Sequence, residues 1–173
     1  MGRPQLRYLV VAIRLGCYAL LTGASVAHAG PTDGNITGGA GNINQAGLNT
    51  TINQTSQNMA IDWQSFNVNV DERVQYIQPN ASSISLNRIL SNTGSSIAGQ
   101  IDANGHVILV NPHGVFFTST AQINVGGMIA SGLEINVSDF MNGDYIFNEV
   151  LGSEGAVINS GTINARRRSD CAL

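Results

Sequence analysis

Single aliphatic residues spaced through a polar background set the pattern of this chain. Between Gly30 and Asn58, GPTDGNITGGAGNINQAGLNTTINQTSQN, only Ile36, Ile43, Leu48 and Ile52 stand out from Gly, Asn and Thr. Nothing there repeats at the helical period, so the segment predicts short strands that open or cap a β structure, with disorder as the alternative for so polar a stretch. In MAIDWQSFNVNVDERVQYIQP, Ile61 and Trp63 fall on one parity and Phe66, Val68 and Val70 on the other. A one-residue slip sends every side chain of a strand to the opposite face, so the switch predicts a bulge or bend near Gln64 and Ser65. Trp63, Phe66 and Tyr76 are most simply core residues; stacking on a sugar is the alternative use of Trp63.

Turn signals divide the rest. Ser91-Asn92-Thr93-Gly94 is one, and Asn104-Gly105, between Ile101 and Val107, predicts a two-residue hairpin loop because both residues tolerate positive φ. Val107 to Val110 has no polar face, which predicts a strand covered on both sides. Asn111-Pro112-His113-Gly114 follows. Asn at the first position can cap, Pro presets φ at roughly −65° and Gly is favoured at the fourth position, so the four residues fit a type I turn. Its flanking strands, 107–110 and 115–117, would anchor Leu109 and Phe116 in the core. Asn159-Ser160-Gly161 before Ile163 echoes Asn92-Thr93-Gly94 before Ile97. Imperfect copies of that kind are expected where the coils of a parallel β-helix stack.

Composition sharpens the picture at the two ends. Residues 1–29 read as a signal peptide: Arg3 and Arg7 precede an apolar stretch, and Ala27-His28-Ala29 offers a small-x-small site for cleavage before Gly30. Such a leader is handed to the Sec machinery. Residues 30–165 form the body, with two basic residues, Arg73 and Arg88, against ten acids, a formal charge of −8. A surface of that sign repels phosphate backbones, which argues against nucleic acid as a partner. Both cysteines, Cys17 and Cys171, lie outside the body, so no disulfide can staple it. Only 11% of the 173 residues are charged and 20 are Gly, a balance that suits turn-rich β structure.

Several ordered stretches carry a resemblance. IDWQSFNV, QPNASSISLNRIL, SSIAGQIDANGHVILVNPHGVFF and AQINVGGMIASGL follow one another as in the N-terminal secretion domain of two-partner secretion exoproteins of the filamentous-haemagglutinin type. The likeness runs from about Gly34 to Ala165. The family's signature turn is Asn-Pro-Asn-Gly, so His113 replaces its second Asn. The resemblance implies an all-β, right-handed parallel β-helix with extra-helical hairpins and no catalysis. It also implies recognition in the periplasm by an outer-membrane β-barrel transporter with POTRA-type domains, passage in an unfolded state, and nucleation of a β-helical passenger outside the cell. The Asn111 to Gly114 turn would then serve structure and recognition, and an adhesin or haemagglutinin-like passenger would meet a host glycan or protein. Residues 166–173, RRRSDCAL, break the pattern and read as a truncated or frameshifted end.

Other functions are weighed against this. Parallel β-helices also host polysaccharide lyases and hydrolases, whose sites need clustered carboxylates or a base beside Arg. Here the acids are scattered, and the adjacent pair Asp71-Glu72 would point to opposite faces of a strand. His106 and His113, with no Cys in the body, are too few for a metal site, and no cofactor motif is present. The remaining alternative is a standalone exported β-helical adhesin that binds a glycan or protein through its polar surface.

Overall fold

The computed structural model describes residues 30–149, 151 and 155–165. The proposed leader with Ala29, and the tail 166–173, lie outside the described residues. The chain coils around a single axis. β1 (Asn35–Gly38) and β2 (Gly41–Ala46) precede a first coil made of β3 (Asn49–Gln54) and β4 (Asn58–Trp63). The second coil is β5 (Arg73–Ile77), β6 (Ile84–Ile89) and β7 (Ser95–Ile97); the third is β8 (Gln100–Ala103), β9 (His106–Val110) and β10 (Val115–Phe117). The fourth begins with β11 (Gln122–Val125) and β12 (Gly127–Ser131). It detours through β13 (Glu134–Ile135), α1 (Val137–Asn142) and β14 (Phe147–Asn148), then closes with β15 (Val157–Asn159). β16 (Thr162–Ala165) follows.

Counterpart strands stack into three faces, β1-β4-β6-β9-β12, β2-β3-β5-β8-β11-β16 and β7-β10-β15. Within these faces every pairing is parallel except β1 on β4 and β2 on β3, which cap the first coil antiparallel. The fold is therefore the all-β parallel β-helix with extra-helical additions that the sequence predicts. Period-two alternation makes it work: Val74, Ile101, Ile123 and Ile163 stack in one inward column. The outward column beside it holds Asp102, Asn124 and Asn164. There Asn124 Nδ2 donates to Asp102 Oδ1 at 3.2 Å, and Asn164 Nδ2 donates to Asn124 Oδ1 at 3.0 Å. These amide ladders give the surface its polarity with few charges.

Trp63, Phe66, Tyr76 and Leu109 are all buried in the interior. Trp63 has no exposed face, so it cannot stack on a sugar from solvent; its ring meets Phe66 edge-on, with centroids 5.5 Å apart. Asn87, fully buried on β6, lies between coils: its Oδ1 accepts from Trp63 Nε1 at 3.0 Å and from the Tyr76 hydroxyl at 2.9 Å. Its Nδ2 donates to the carbonyls of Ser85 at 3.3 Å and Ile108 at 3.2 Å. Burial pushes the Tyr76 phenol well above its ordinary pKa, against the smaller lowering effect of its hydrogen bond with Asn87.

The bend expected near Gln64 and Ser65 is present as a corner of the solenoid: β4 ends at Trp63, the chain bends at Gln64, and Val68 bridges to Ile97 on another face. Three expectations need correction. Asn104-Gly105 is likewise a corner, joining β8 to β9 on different faces, and neither residue has positive φ. Glycine is needed there for close approach, since a Cβ on Gly105 would lie 2.6 Å from the Ser83 carbonyl oxygen and 2.8 Å from Gln78 Oε1. Gly105→Ala is expected to cost about 2 kcal/mol through overpacking, read from the midpoint of denaturant unfolding. Phe116 is not in the core but 37% exposed, whereas Val115 and Phe117 point inward. Three consecutive apolar residues leave strand parity undetermined, and stacking on β7 and β15 decides it. Finally, Asn92-Gly94 and Asn159-Gly161 are not equivalent: Asn159 pairs with Phe117 and Phe117 with Ile97, while Ile163 stacks on Ile123 and Ile101. The repeat that stacks is Gly99-Gln100-Ile101 with Gly161-Thr162-Ile163.

Candidate functional site: the Asn111 to Gly114 turn

The turn carries the chain from β9 to β10, between two faces of the solenoid. Gly114 N donates to the Asn111 carbonyl at 2.9 Å, which closes the four-residue turn, and His113 has no positive φ, as a type I turn requires. Asn111 is fully buried and uses every polar atom. Its Oδ1 accepts from His113 N at 2.9 Å, and its Nδ2 donates to the Thr93 carbonyl at 3.1 Å and to Ser95 Oγ at 3.0 Å. Its backbone N donates to the Ser131 carbonyl at 3.0 Å. One residue, through its side chain and its backbone N–H, thus binds the second, third and fourth coils together.

Gly114 has φ of 102°, a conformation that glycine adopts without strain. A Cβ there would also sit 2.8 Å from the Ala156 carbonyl oxygen. Pro112 is buried and His113 is exposed. The turn uses only the backbone N–H of residue 113, so replacement of the family's Asn by His leaves its hydrogen bonds intact. Asn92 and Thr93 are exposed beside it, and the Phe116 ring lies over Gly94 and Gly114. With Ile158, 51% exposed and in register with Phe116, this makes a small apolar strip on the outer face next to the turn.

The remaining candidate groups do not converge. Asp102 pairs with Arg73 at 2.6 Å, and Asp62 with Arg88 at 2.6 Å. The Arg88 guanidinium is held above its ordinary pKa, chiefly by its hydrogen bond to Asp62 and against partial desolvation. Glu72 is buried and accepts from Asn69 N at 2.7 Å. A cavity of about 390 Å³ lined by Gln100, Thr120, Gln122, Asn124 and Thr162 has no ionisable lining. Another of about 260 Å³, between Ile84, Ile108, Ile129 and Tyr145, includes His106 but no carboxylate. Among the described residues no three His, Cys, Asp or Glu side chains group as metal ligands.

The model of the TPS secretion domain matches residues 27–171, the whole body together with part of the tail. The chain belongs to the TPS secretion domain family. Similar proteins agree with the assignment. A heme/hemopexin-binding protein of Haemophilus influenzae is 34% identical over 168 residues, 92% of this chain but 19% of that protein. Another protein of that name from Haemophilus influenzae is 42% identical over 81 residues, 47% of this chain and 9% of the relative. This TPS secretion domain thus spans about a fifth of the first of these relatives. The crystal structure of the HMW1 secretion domain from Haemophilus influenzae superposes with a TM-score of 0.73 at 30% identity, covering 78% of this chain and 36% of that one.

Proposed function

We propose that this TPS secretion domain is the export and folding head of a two-partner secretion exoprotein. A leader at residues 1–29, cleaved between Ala29 and Gly30, passes it to the Sec machinery. A cognate outer-membrane β-barrel with POTRA-type domains then recognises it in the periplasm. The domain crosses unfolded and seeds a β-helix on the cell surface or in the medium. The observation that carries this reading is the family match over the whole body. The form of the solenoid supports it: β1 and β2 close the first coil antiparallel, while β12, β15 and β16 each have one edge with no strand partner among the described residues. A capped start and an open end suit a template on which further coils can be laid.

The Asn111 to Gly114 turn fixes the corner on which that template depends, and His113 with Phe116 offers an exposed surface for the transporter. A haem- or hemopexin-binding passenger fits the names of the two heme/hemopexin-binding relatives, and an adhesin or haemagglutinin-like passenger is the other form the family resemblance implies. The test is secretion of the full chain in a Gram-negative host with and without the cognate barrel. Release into the medium is expected only with the barrel, and replacing Asn111 and Pro112 together is expected to abolish it. Equal release in all four conditions would overturn the proposal. Retention in the periplasm in all four, with glycan or protein binding intact, would point to a standalone adhesive module.

A further inference from the structure

The second and third coils pass from the first face to the third through residues 90–94 and 111–114, whereas the fourth takes residues 132–156. We propose that residues 133–148 of this detour are a strap that locks the first coil to the last, so that the domain folds as one unit only when the chain through Phe147 is available. The middle of the outer face of β4, β6 and β9 is apolar, with Ala60, Leu86, Ile108 and Val110 all buried. Ile135 and Phe140 cover it, joined by Val137, Met141 and Phe147. α1 reaches as far as the opening strand: a Cβ on Gly38 would meet Met141 Cγ at 3.0 Å and Val137 Cγ1 at 3.2 Å. Residues about a hundred positions apart in sequence are therefore in direct contact.

The strap is built to hold its shape. Asn136 caps α1 by accepting from Ser138 N at 2.8 Å, Gly143 ends it with φ of 93°, and β13 pairs antiparallel with β14. Arg88, already paired with Asp62 of the first coil, donates from Nη1 to the Ile135 carbonyl at 3.5 Å. A plain solenoid touches only its neighbours, folds from any coil and frays from its ends. Here the first coil has no outer cover until the fourth has been made. The strap removes the independence of the ends. This follows from the chain's own contacts and stands whether or not the export reading holds.

Native-state hydrogen exchange on the full chain tests it. In the unaltered protein the slowest amides of β4 and β11 are expected to share one protection factor, because only global unfolding exposes both. In Phe140→Ala the β1 and β4 amides are expected to lose at least about tenfold more protection than those of β11. Ile123→Ala, in the core but away from the strap, is expected to lower all of them together. Should Phe140→Ala fail to fold, Phe140→Leu gives the same comparison. Uniform loss in the Phe140 variants, or unequal protection of β4 and β11 in the unaltered protein, would overturn the strap.

Discussion

Replacing Asn111 by Ala is expected to lower the stability of the domain by about 3 kcal/mol. The side chain is buried, and its loss would leave His113 N, the Thr93 carbonyl and Ser95 Oγ without their partner. A buried polar group left unpaired costs about 1–3 kcal/mol, and partial access of water at the corner keeps the total below the sum of three such groups. Asn111→Asp is the sharper probe. It retains the acceptor for His113 N but faces the Thr93 carbonyl with an acceptor where a donor is needed, so it should be at least as damaging as Ala. His113→Asn and His113→Ala should both stay within about 0.5 kcal/mol of the parent, because that side chain is exposed and the turn uses only the backbone N–H. Urea unfolding at constant slope reads all four. A small effect of both Asn111 variants, or a large effect of either His113 variant, would show that the hydrogen bonds of Asn111 do not hold the corner. Applied to export, the same set separates a structural turn from a recognition surface, since His113→Ala should leave the fold untouched.

How much of this was legible depended on whether a segment's parity was fixed within itself. Val107 to Val110 is apolar at every position, and the structure covers both sides, with Val107 and Leu109 in the main core and Ile108 and Val110 beneath the strap. The Asn111 turn was readable because Asn, Pro and Gly each have a backbone reason to stand where they do. Phe116 was not, since an apolar triplet fits a strand in either parity. On β6 the sequence pattern is inverted. Ile84 and Leu86 belong to the outer cluster, whereas Ser85 and Asn87 are buried with Ile89 on the alternate face. Alternation rules place the apolar residues inside, and they fail here because the strap gives the outside a cover of its own. The strap had left a trace in the sequence: Asn136 and Gly143 bracket a short run in the manner of helix caps. The recognition role proposed for the turn would depend on a partner surface, which no local pattern in this chain encodes.

Asn87→Leu is expected to cost about 4 kcal/mol, the largest loss among these variants. The branched shape is kept but Leu is the larger side chain, so the cost combines the stranded partners with overpacking at hydrogen-bond distances. Trp63 Nε1 and the Tyr76 hydroxyl would each be left in an apolar interior with no acceptor. Removing one of a buried pair is far more damaging than removing both, and that asymmetry gives a test by sign rather than by size. In the parent, Tyr76→Phe should destabilise by about 1 kcal/mol, since it breaks one good hydrogen bond. In the Asn87→Leu background the same change should stabilise by about 1 kcal/mol, because it deletes a hydroxyl that has lost its partner. The coupling across the cycle, about 2 kcal/mol, would measure how far Asn87 joins its neighbours. Those neighbours lie on different strands: Trp63 on β4, Tyr76 on β5 and the Ile108 carbonyl on β9. If Tyr76→Phe has the same effect in both backgrounds, the three side chains are merely adjacent. If the sign reverses, Asn87 and Tyr76 are coupled within the second coil. The same Asn87 amide also meets Trp63 of the first coil and the Ile108 carbonyl of the third, polar contacts of fixed direction among stacked columns of Ile and Val that look alike from one step to the next.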